Sequence, residues 1–377
     1  MKELIPEQIQ ILAQGCPFPL YVTGGAVRDC LAGLKSAADW DLAAPVSAET
    51  FEKAAQKCGF TVQSVYKHTG TVNVSKEGVK IEFTSFRTDK YRRGEHAPCD
   101  VVFTDDIETD AKRRDFKCNA VYYEIARGEF VDPLGGIRDI RDKIISTTRE
   151  ADEVFSEDGL RLMRLARQAA QLGFTPDFPT LFGAKFNAAL IGKISVERIF
   201  SELMLILHAD EKYGIPYAQY NGLKVLQSTD VLRYILPELA LGDGMPQRAD
   251  FHDHNVLEHT LRTVKYADRR IRLAALLHDV GKPYCYANFG NYHRHEIEGA
   301  RIAEEILTRL KAPNKVIEDT VALTRTHMYD LNNQTKESKI RAFIVENFAL
   351  YPRILLVKQA DYSGCKDDLH VCPTVRR

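Results

Sequence analysis

The hydrophobic periodicity of this 377-residue chain changes once, near Ser146, and that change limits the folds open to it. Before Ser146, short β-branched runs at 61–65, 71–74 and 79–84 alternate apolar with polar positions. A period of two puts one face of a strand on a core, so these runs read as a meander. An apolar run at 19–23 ends in Gly24-Gly25, which suits a strand entering a turn, with a helix at 27–34 behind it. A second strand is expected at 39–43, a helix at 48–57, and a closing hairpin from 120–125 and 129–131. Residues 88–98 are polar without periodicity and are expected to form a mobile loop.

After Ser146 strand signals nearly vanish. Segments 153–171, 196–207, 256–267, 271–277, 298–311, 314–326 and 336–348 all carry apolar residues at helical spacing. The expected fold is α+β: a head with a mixed or antiparallel sheet over 1–145, an all-α segment over 146–243, and a second all-α segment over 244–377. The last boundary falls at Gly242-Asp243-Gly244.

Composition removes some functional classes. No run of eighteen apolar residues occurs, so a membrane-spanning helix is not expected. The N-terminus, MKELIPEQIQILAQG, lacks the apolar centre of a signal peptide. Eight cysteines stand without a CxxC pair, which fits free thiols in a reducing compartment better than a disulfide frame. A cytoplasmic protein is expected. The net charge of −1 gives no whole-chain sign of nucleic-acid binding, so any such binding must use local arginine clusters.

The stretch from Tyr21 to Pro45 carries the first chemistry. Gly24 and Gly25 allow a backbone to approach a phosphate, and the N–H groups of a helix start attract anions. Arg28 adds a bidentate donor for phosphate oxygens. On a strand, Asp39 and Asp41 point to one face, and two close carboxylates repel unless a cation lies between them. Oxygen-rich sites of this kind suit Mg²⁺. The bland alternative is a surface turn followed by solvated aspartates, which is the usual meaning of an isolated DxD.

GGAVRD followed by DWDLA resembles the first motif of the class II nucleotidyltransferases, which include the CCA-adding enzymes of tRNA and bacterial poly(A) polymerases. Four further segments follow in the family's order: KRRDFKCNAVYYE from Lys112, DPLGGIRDI from Asp132, EDGLRLMRLARQ from Glu157 and ISVERIFSEL from Ile194. The resemblance implies that Asp39 and Asp41 bind catalytic Mg²⁺. It also implies that Gly24, Gly25, Arg28 and Arg114 contact the nucleotide, with Arg113 and Asp115 as alternative braces for the loop. Glu82 is equally a third acidic group or an exposed strand residue. Asp158, Arg161, Arg164 and Arg167 stand three apart and would line one helical stripe, which by default is a solvated face with ion pairs. By resemblance, Asp158 and Arg161 pair with the Watson–Crick edge of the incoming base, supported by Arg164 and Arg167. The 88–98 segment lies where family members carry a flexible loop needed for adding A.

Seven of the eleven histidines fall between His252 and His327. A buried imidazole needs a partner, and metal ligation supplies one. Gly281 and Pro283 are expected to stop the apolar helix that ends at His278-Asp279. The block resembles the HD phosphohydrolase superfamily over about 250–365. By that resemblance His259, His278, Asp279 and Asp361 carry the core metal pattern, and His295 and His327 add a second ion; a divalent transition metal is implied. His252, His254 and His293 have no motif position and are expected on the surface. In the family the HD domain is linked with phosphatase or cyclic phosphodiesterase activity.

The reading is therefore an enzyme that adds CCA to tRNA from CTP and ATP, releasing pyrophosphate, with an HD domain. Its rivals are a relative that adds CC, A or poly(A), an HD phosphohydrolase with a nucleotide-binding head, and a non-catalytic tRNA-binding module.

Overall fold

The computed structural model describes residues 1–34, 39–250, 252–330 and 333–376; the backbone of Asp39 is described, while its side chain lies outside the described residues. The chain divides into two compact units. One holds Met1–Arg161 and Phe174–Lys193, the other Leu162–Gly173 and Ile194–Arg377.

The first unit is built on a seven-stranded sheet. Its strands are β1 (Tyr21–Thr23), β2 (Asp39–Ala44), β3 (Thr61–Tyr66), β4 (Thr71–Lys76) and β5 (Val79–Ser85). After the β6–β7 hairpin, Arg87–Tyr91 and Pro98–Phe103, come β8 (Tyr122–Glu124) and β9 (Glu129–Val131). The order across the sheet is β3-β4-β5-β2-β1-β8-β9. Within this sheet β2 and β5 pair in parallel and every other neighbouring pair is antiparallel.

Alternation decides what each face does. Trp40, Leu42, Ile81 and Phe83 are buried, whereas Asp41, Lys80 and Glu82 between them are exposed. The buried face is covered by the helix Ala48–Lys57, which Ser47 caps by accepting from the Thr50 N–H at 3.3 Å. Phe51 of that helix stacks on Phe83 with ring centroids 3.8 Å apart. Burying two aromatic rings this way contributes on the order of a few kcal/mol. One face of the sheet is thus spent on the core, and the acidic face is left for chemistry.

Two sequence expectations are corrected here. Residues 88–98 are not a loop throughout. They contribute to the antiparallel ribbon β6–β7, which pairs apart from the main sheet, and the turn is confined to 92–97. The helix expected over 153–171 is two helices, Ala151–Glu157 and Leu160–Leu172. Asp158 between them is extended (φ −135°, ψ 105°). Its Oδ1 accepts from the Leu160 N–H at 2.9 Å, so it caps the second helix rather than lying within it. Gly159 follows in close contact: a Cβ there would meet the Leu190 carbonyl oxygen at 2.7 Å.

The second unit is helical. Arg272 is buried and grips Asp210 with two bonds, at 2.6 and 2.7 Å, while also donating to the Leu207 carbonyl at 2.8 Å. That charge-assisted fork fixes one helix on the preceding segment. Asn255 caps Val256–Tyr266 by accepting from the Glu258 N–H at 2.8 Å. Arg272–Leu277 ends before Gly281 and Pro283, and these two residues lie in the first turn of a further helix, Gly281–Phe289. Proline is tolerated in a first turn, where its missing N–H has no helical partner to lose. Among the described residues no helix is long and apolar enough to cross a membrane.

Candidate active site and metal cluster

In the first unit, the acidic face of the sheet gathers the head residues. Asp41 is paired in register with Glu82 across β2 and β5, and with Thr23 across β1 and β2. Residues directly paired across strands share a face. Both carboxylates are exposed, so Glu82 lies beside Asp41 on the open face of the sheet. The backbone of Asp39 opens the same strand two positions earlier.

The diglycine turn touches this face. Gly24 has φ +68°, the left-handed region that favours glycine, and it leads into the helix Gly25–Leu31. A Cβ on Gly24 would lie 2.7 Å from Asp41 Oδ2. The missing side chain is what lets the turn sit against the carboxylate.

Arginines complete the face. Arg114 donates from Nε to the Tyr122 hydroxyl at 3.1 Å and from Nη2 to Asp110 Oδ2 at 3.2 Å. Burial disfavours its charge, but Tyr122, Asp110 and Asp41 outweigh that and hold it firmly protonated. Arg113 donates to Asp110 Oδ1 at 2.7 Å, and the Tyr122 hydroxyl donates to Asp110 Oδ2 at 2.6 Å. Burial would raise the Asp110 carboxyl, yet Arg113 and Arg114 pull it down to about 2. Arg28 is buried. It donates to Asp29 Oδ1 at 2.7 and 3.0 Å and to Asn119 Oδ1 at 2.7 Å, and Asn119 donates on to Asp115 Oδ1 at 2.9 Å. In this arrangement Arg28 ties the turn helix to the RRDF segment.

Asp158 and Arg161 are each 5% exposed and each engaged. Asp158 Oδ2 lies 2.9 Å from His96 Nδ1, at the tip of the β6–β7 hairpin. The tip is pinned by the Gly94 N–H, which donates to the Ser156 carbonyl at 2.6 Å. Arg161 donates to the carbonyls of Val154 at 2.9 Å and Arg113 at 2.8 Å and to Glu157 Oε2 at 3.0 Å, with its guanidinium over the Tyr91 ring. His96 and Tyr91 carry no signal in the sequence, because both fall in a polar stretch without periodicity. Arg164 and Arg167 lie on the part of the helix assigned to the second unit. Both are half-buried, and Arg167 pairs with Glu202 at 2.6 Å.

In the second unit, the six histidine and aspartate residues named from the sequence converge. His259 Nε2 stands 3.3 Å from His278 Nε2, 3.3 Å from Asp279 Oδ2 and 3.1 Å from Asp361 Oδ1. His295 Nε2 stands 3.2 Å from Asp279 Oδ1 and 3.2 Å from His327 Nε2. Asp279 therefore presents one oxygen to each histidine pair. The Nδ1 atoms of His278, His295 and His327 lie 2.8, 2.8 and 2.6 Å from the carbonyls of Ala275, Tyr292 and Thr324. Nδ1–H donation to those carbonyls leaves each Nε2 lone pair facing the cluster, the arrangement of ligating histidines.

Charge fits a cation as well. Burial, together with His295 and His278, pushes His327 down to about 3, so its imidazole is neutral. Burial also opposes charge on His278, but Asp279 and Asp361 raise it to about 10. A cation among these carboxylates would supply the charge that a proton on His278 and the ammonium of Lys282, 2.6 Å from Asp279 Oδ2, otherwise supply. Two groups of three donors, His259-His278-Asp279 and Asp279-His295-His327, are compact enough to hold an ion each.

His252 corrects an expectation. It is half-buried rather than fully exposed: its ring meets His259 edge-on with centroids 4.7 Å apart, and burial lowers it to about 4. His293 is exposed and His254 is partly exposed.

Comparison with known proteins gives the family. A family model described as a poly A polymerase head domain matches residues 20–146, an HD domain model matches 256–361, and one described as a probable RNA and SrmB-binding site of polymerase A matches 173–241. The chain is 30% identical over 369 residues to the A-adding tRNA nucleotidyltransferase of Deinococcus radiodurans, covering 93% of this chain and 78% of that protein. It is 33% identical over 309 residues to the CCA-adding enzyme of Geobacillus thermodenitrificans, covering 82% of this chain and 66% of that one. Among solved structures, the Bacillus stearothermophilus CCA-adding enzyme in complex with CTP superposes with a TM-score of 0.65 at 28% identity, over 96% of this chain and 77% of that chain.

Proposed function

We propose that this chain, which belongs to the tRNA nucleotidyltransferase family, adds CCA to the 3′ end of tRNA from CTP and ATP and releases pyrophosphate. The observation that carries the reading is the Asp41–Glu82 pair on the open face of the sheet, packed against Gly24 and electrostatically coupled to Arg114. Exposed carboxylates side by side with an arginine beyond them suit divalent cations and a triphosphate.

Asp41, with Asp39 and Glu82, would hold Mg²⁺. Bound there, Mg²⁺ supplies Lewis acidity at the attacking and leaving oxygens. The tRNA 3′-oxygen bonds to the α-phosphorus, the α–β bridging P–O bond breaks, and the hydroxyl proton passes to solvent. The Gly24-Gly25 turn and Arg114 position the phosphates, and Arg28 braces that turn from beneath. Arg164 and Arg167 support the nucleotide.

Asp158 and Arg161 select the base. A carboxylate accepts from an exocyclic amino group and a guanidinium donates to a ring nitrogen or carbonyl, an order that C and A share and that G and U do not present. Since both side chains are already engaged, selection includes an exchange in which His96 leaves Asp158 and the base takes its place.

The HD cluster would hold two divalent transition ions and hydrolyse phosphate esters. The three-part division at 145 and 243 belongs to this reading. So does a cytoplasmic setting, supported by eight free cysteines.

The test is to incubate tRNA ending at the discriminator base with CTP and ATP, singly and together, and to sequence the ends. CC from CTP alone and CCA from the mixture is the expected result. The extent of the match to the Deinococcus enzyme favours one rival, addition of A only; A joined solely to tRNA already ending in CC would establish it. Long A tails or CC alone would name the others.

A further inference from the structure

Beside the HD cluster lies a second donor set that the two-ion arrangement does not use. His252, His259 and Cys365 each offer a ligand atom within 4.8 Å of the others. Cys365 sits one helical turn beyond Asp361 on Tyr351–Lys366, so it faces the cluster from the same side. His252 is fixed by its backbone N–H, which donates to the Arg248 carbonyl at 3.0 Å, and the Asp253 N–H donates to the Cys365 carbonyl at 3.1 Å. These bonds hold the segment before Val256–Tyr266 against the end of Tyr351–Lys366.

The polar atoms of the set are poorly satisfied. Among the described residues, Nδ1 of His252 and Nδ1 of His259 are both buried with no hydrogen-bond partner. Leaving a buried imidazole nitrogen unpaired costs its lost hydration with nothing in return. His259 directs Nε2 at His278, Asp279 and Asp361, so its Nδ1 is the nitrogen that remains. Two imidazoles and a thiol make a softer set than the imidazoles and carboxylates next to it. Such a set suits Zn²⁺, with bonds of about 2.0–2.1 Å to nitrogen and about 2.3 Å to sulfur.

We propose that His252, His259 and Cys365 form a separate binding site for one thiophilic divalent ion of the Zn²⁺ or Co²⁺ class, sharing His259 with the HD cluster. Three protein donors leave a fourth position open, so the ion is exchangeable. It binds Nδ1 of both histidines and Cys365 as the thiolate; the thiol proton and the Nδ1 proton of His259, whose Nε2 already faces the HD cluster, both pass to solvent, so His259 bridges as an imidazolate.

The test uses the full chain, stripped with a chelator and titrated with Co²⁺. Thiolate coordination gives a sulfur-to-cobalt charge-transfer band in the near ultraviolet, which histidine and carboxylate ligands do not. The wild type is expected to show the band, Cys365→Ser to lose it together with one equivalent of bound metal, and His252→Gln to require at least tenfold more Co²⁺. No band in the wild type, or an undiminished band in Cys365→Ser, overturns the proposal. Should Cys365→Ser not fold, alkylation of the wild type decides: Zn²⁺ is expected to slow iodoacetamide labelling of Cys365 severalfold, and equal labelling with and without Zn²⁺ overturns it. Neither readout involves nucleotide addition or ester hydrolysis, so failure here leaves the functional reading standing.

Discussion

Asp110 is fully buried, yet four donors meet it: the Arg113 and Arg114 guanidiniums, the Tyr122 hydroxyl and the Arg87 N–H. Its folded carboxyl sits at about 2 against an ordinary 3.8. A depressed folded value means that the ionised form is favoured by folding. The stabilisation is therefore present above about pH 4 and is lost as pH falls towards about 2. Asp110→Asn removes the buried carboxylate that Arg113 and Arg114 share. A loss of about 3–5 kcal/mol at pH 7 is expected in denaturant melts, narrowing as both proteins are taken below pH 4. Equal stability of the two proteins at pH 7 would contradict this account. The network was only partly legible in the sequence. Arg113, Arg114 and Asp115 stood out in RRDF, but Asp110 looked like one more acid in ETDAKRRD, because nothing in a linear stretch shows that its side chain points inward.

At the scale of elements, legibility followed burial. Strands β2 to β5 and the helix Ala48–Lys57 were readable because each keeps one apolar face on a common core. The β6–β7 ribbon was not: it pairs apart from the main sheet, and along RTDKY and PCDVVF buried and exposed positions do not alternate. Period two is the mark of a half-buried strand, and a ribbon without a buried face does not carry it. The break at Asp158-Gly159 was hidden for the opposite reason. Helical spacing continues through it, and only tertiary contact reveals why the chain opens there. Gly159→Ala drives a Cβ against the Leu190 carbonyl. A destabilisation of about 1–3 kcal/mol is expected, with lower affinity for CTP and ATP because Asp158 and Arg161 flank the break. Unchanged melting and unchanged nucleotide binding would show that the close approach is not required.

Over the whole molecule, two sets of acidic and imidazole donors occupy separate compact units. The HD ligands were legible as a set through the resemblance to the HD superfamily; burial alone marked only that a histidine beside an apolar helix needs a partner. His252 was missed, since it lies in the polar stretch ADFHDHN, where no periodicity marks a half-buried position. The distribution of donors implies that nucleotide addition and metal binding by the HD cluster can be uncoupled. The most direct measurement is single-turnover addition of C to tRNA by Asp41→Asn and by wild type at saturating Mg²⁺ and CTP, alongside the transition-metal content of each protein. Expected is a fall in the addition rate of at least a thousandfold, with metal content and melting temperature unchanged. A variant that keeps near-normal addition would contradict the claim that the carboxylate beside the diglycine turn grips the catalytic metal.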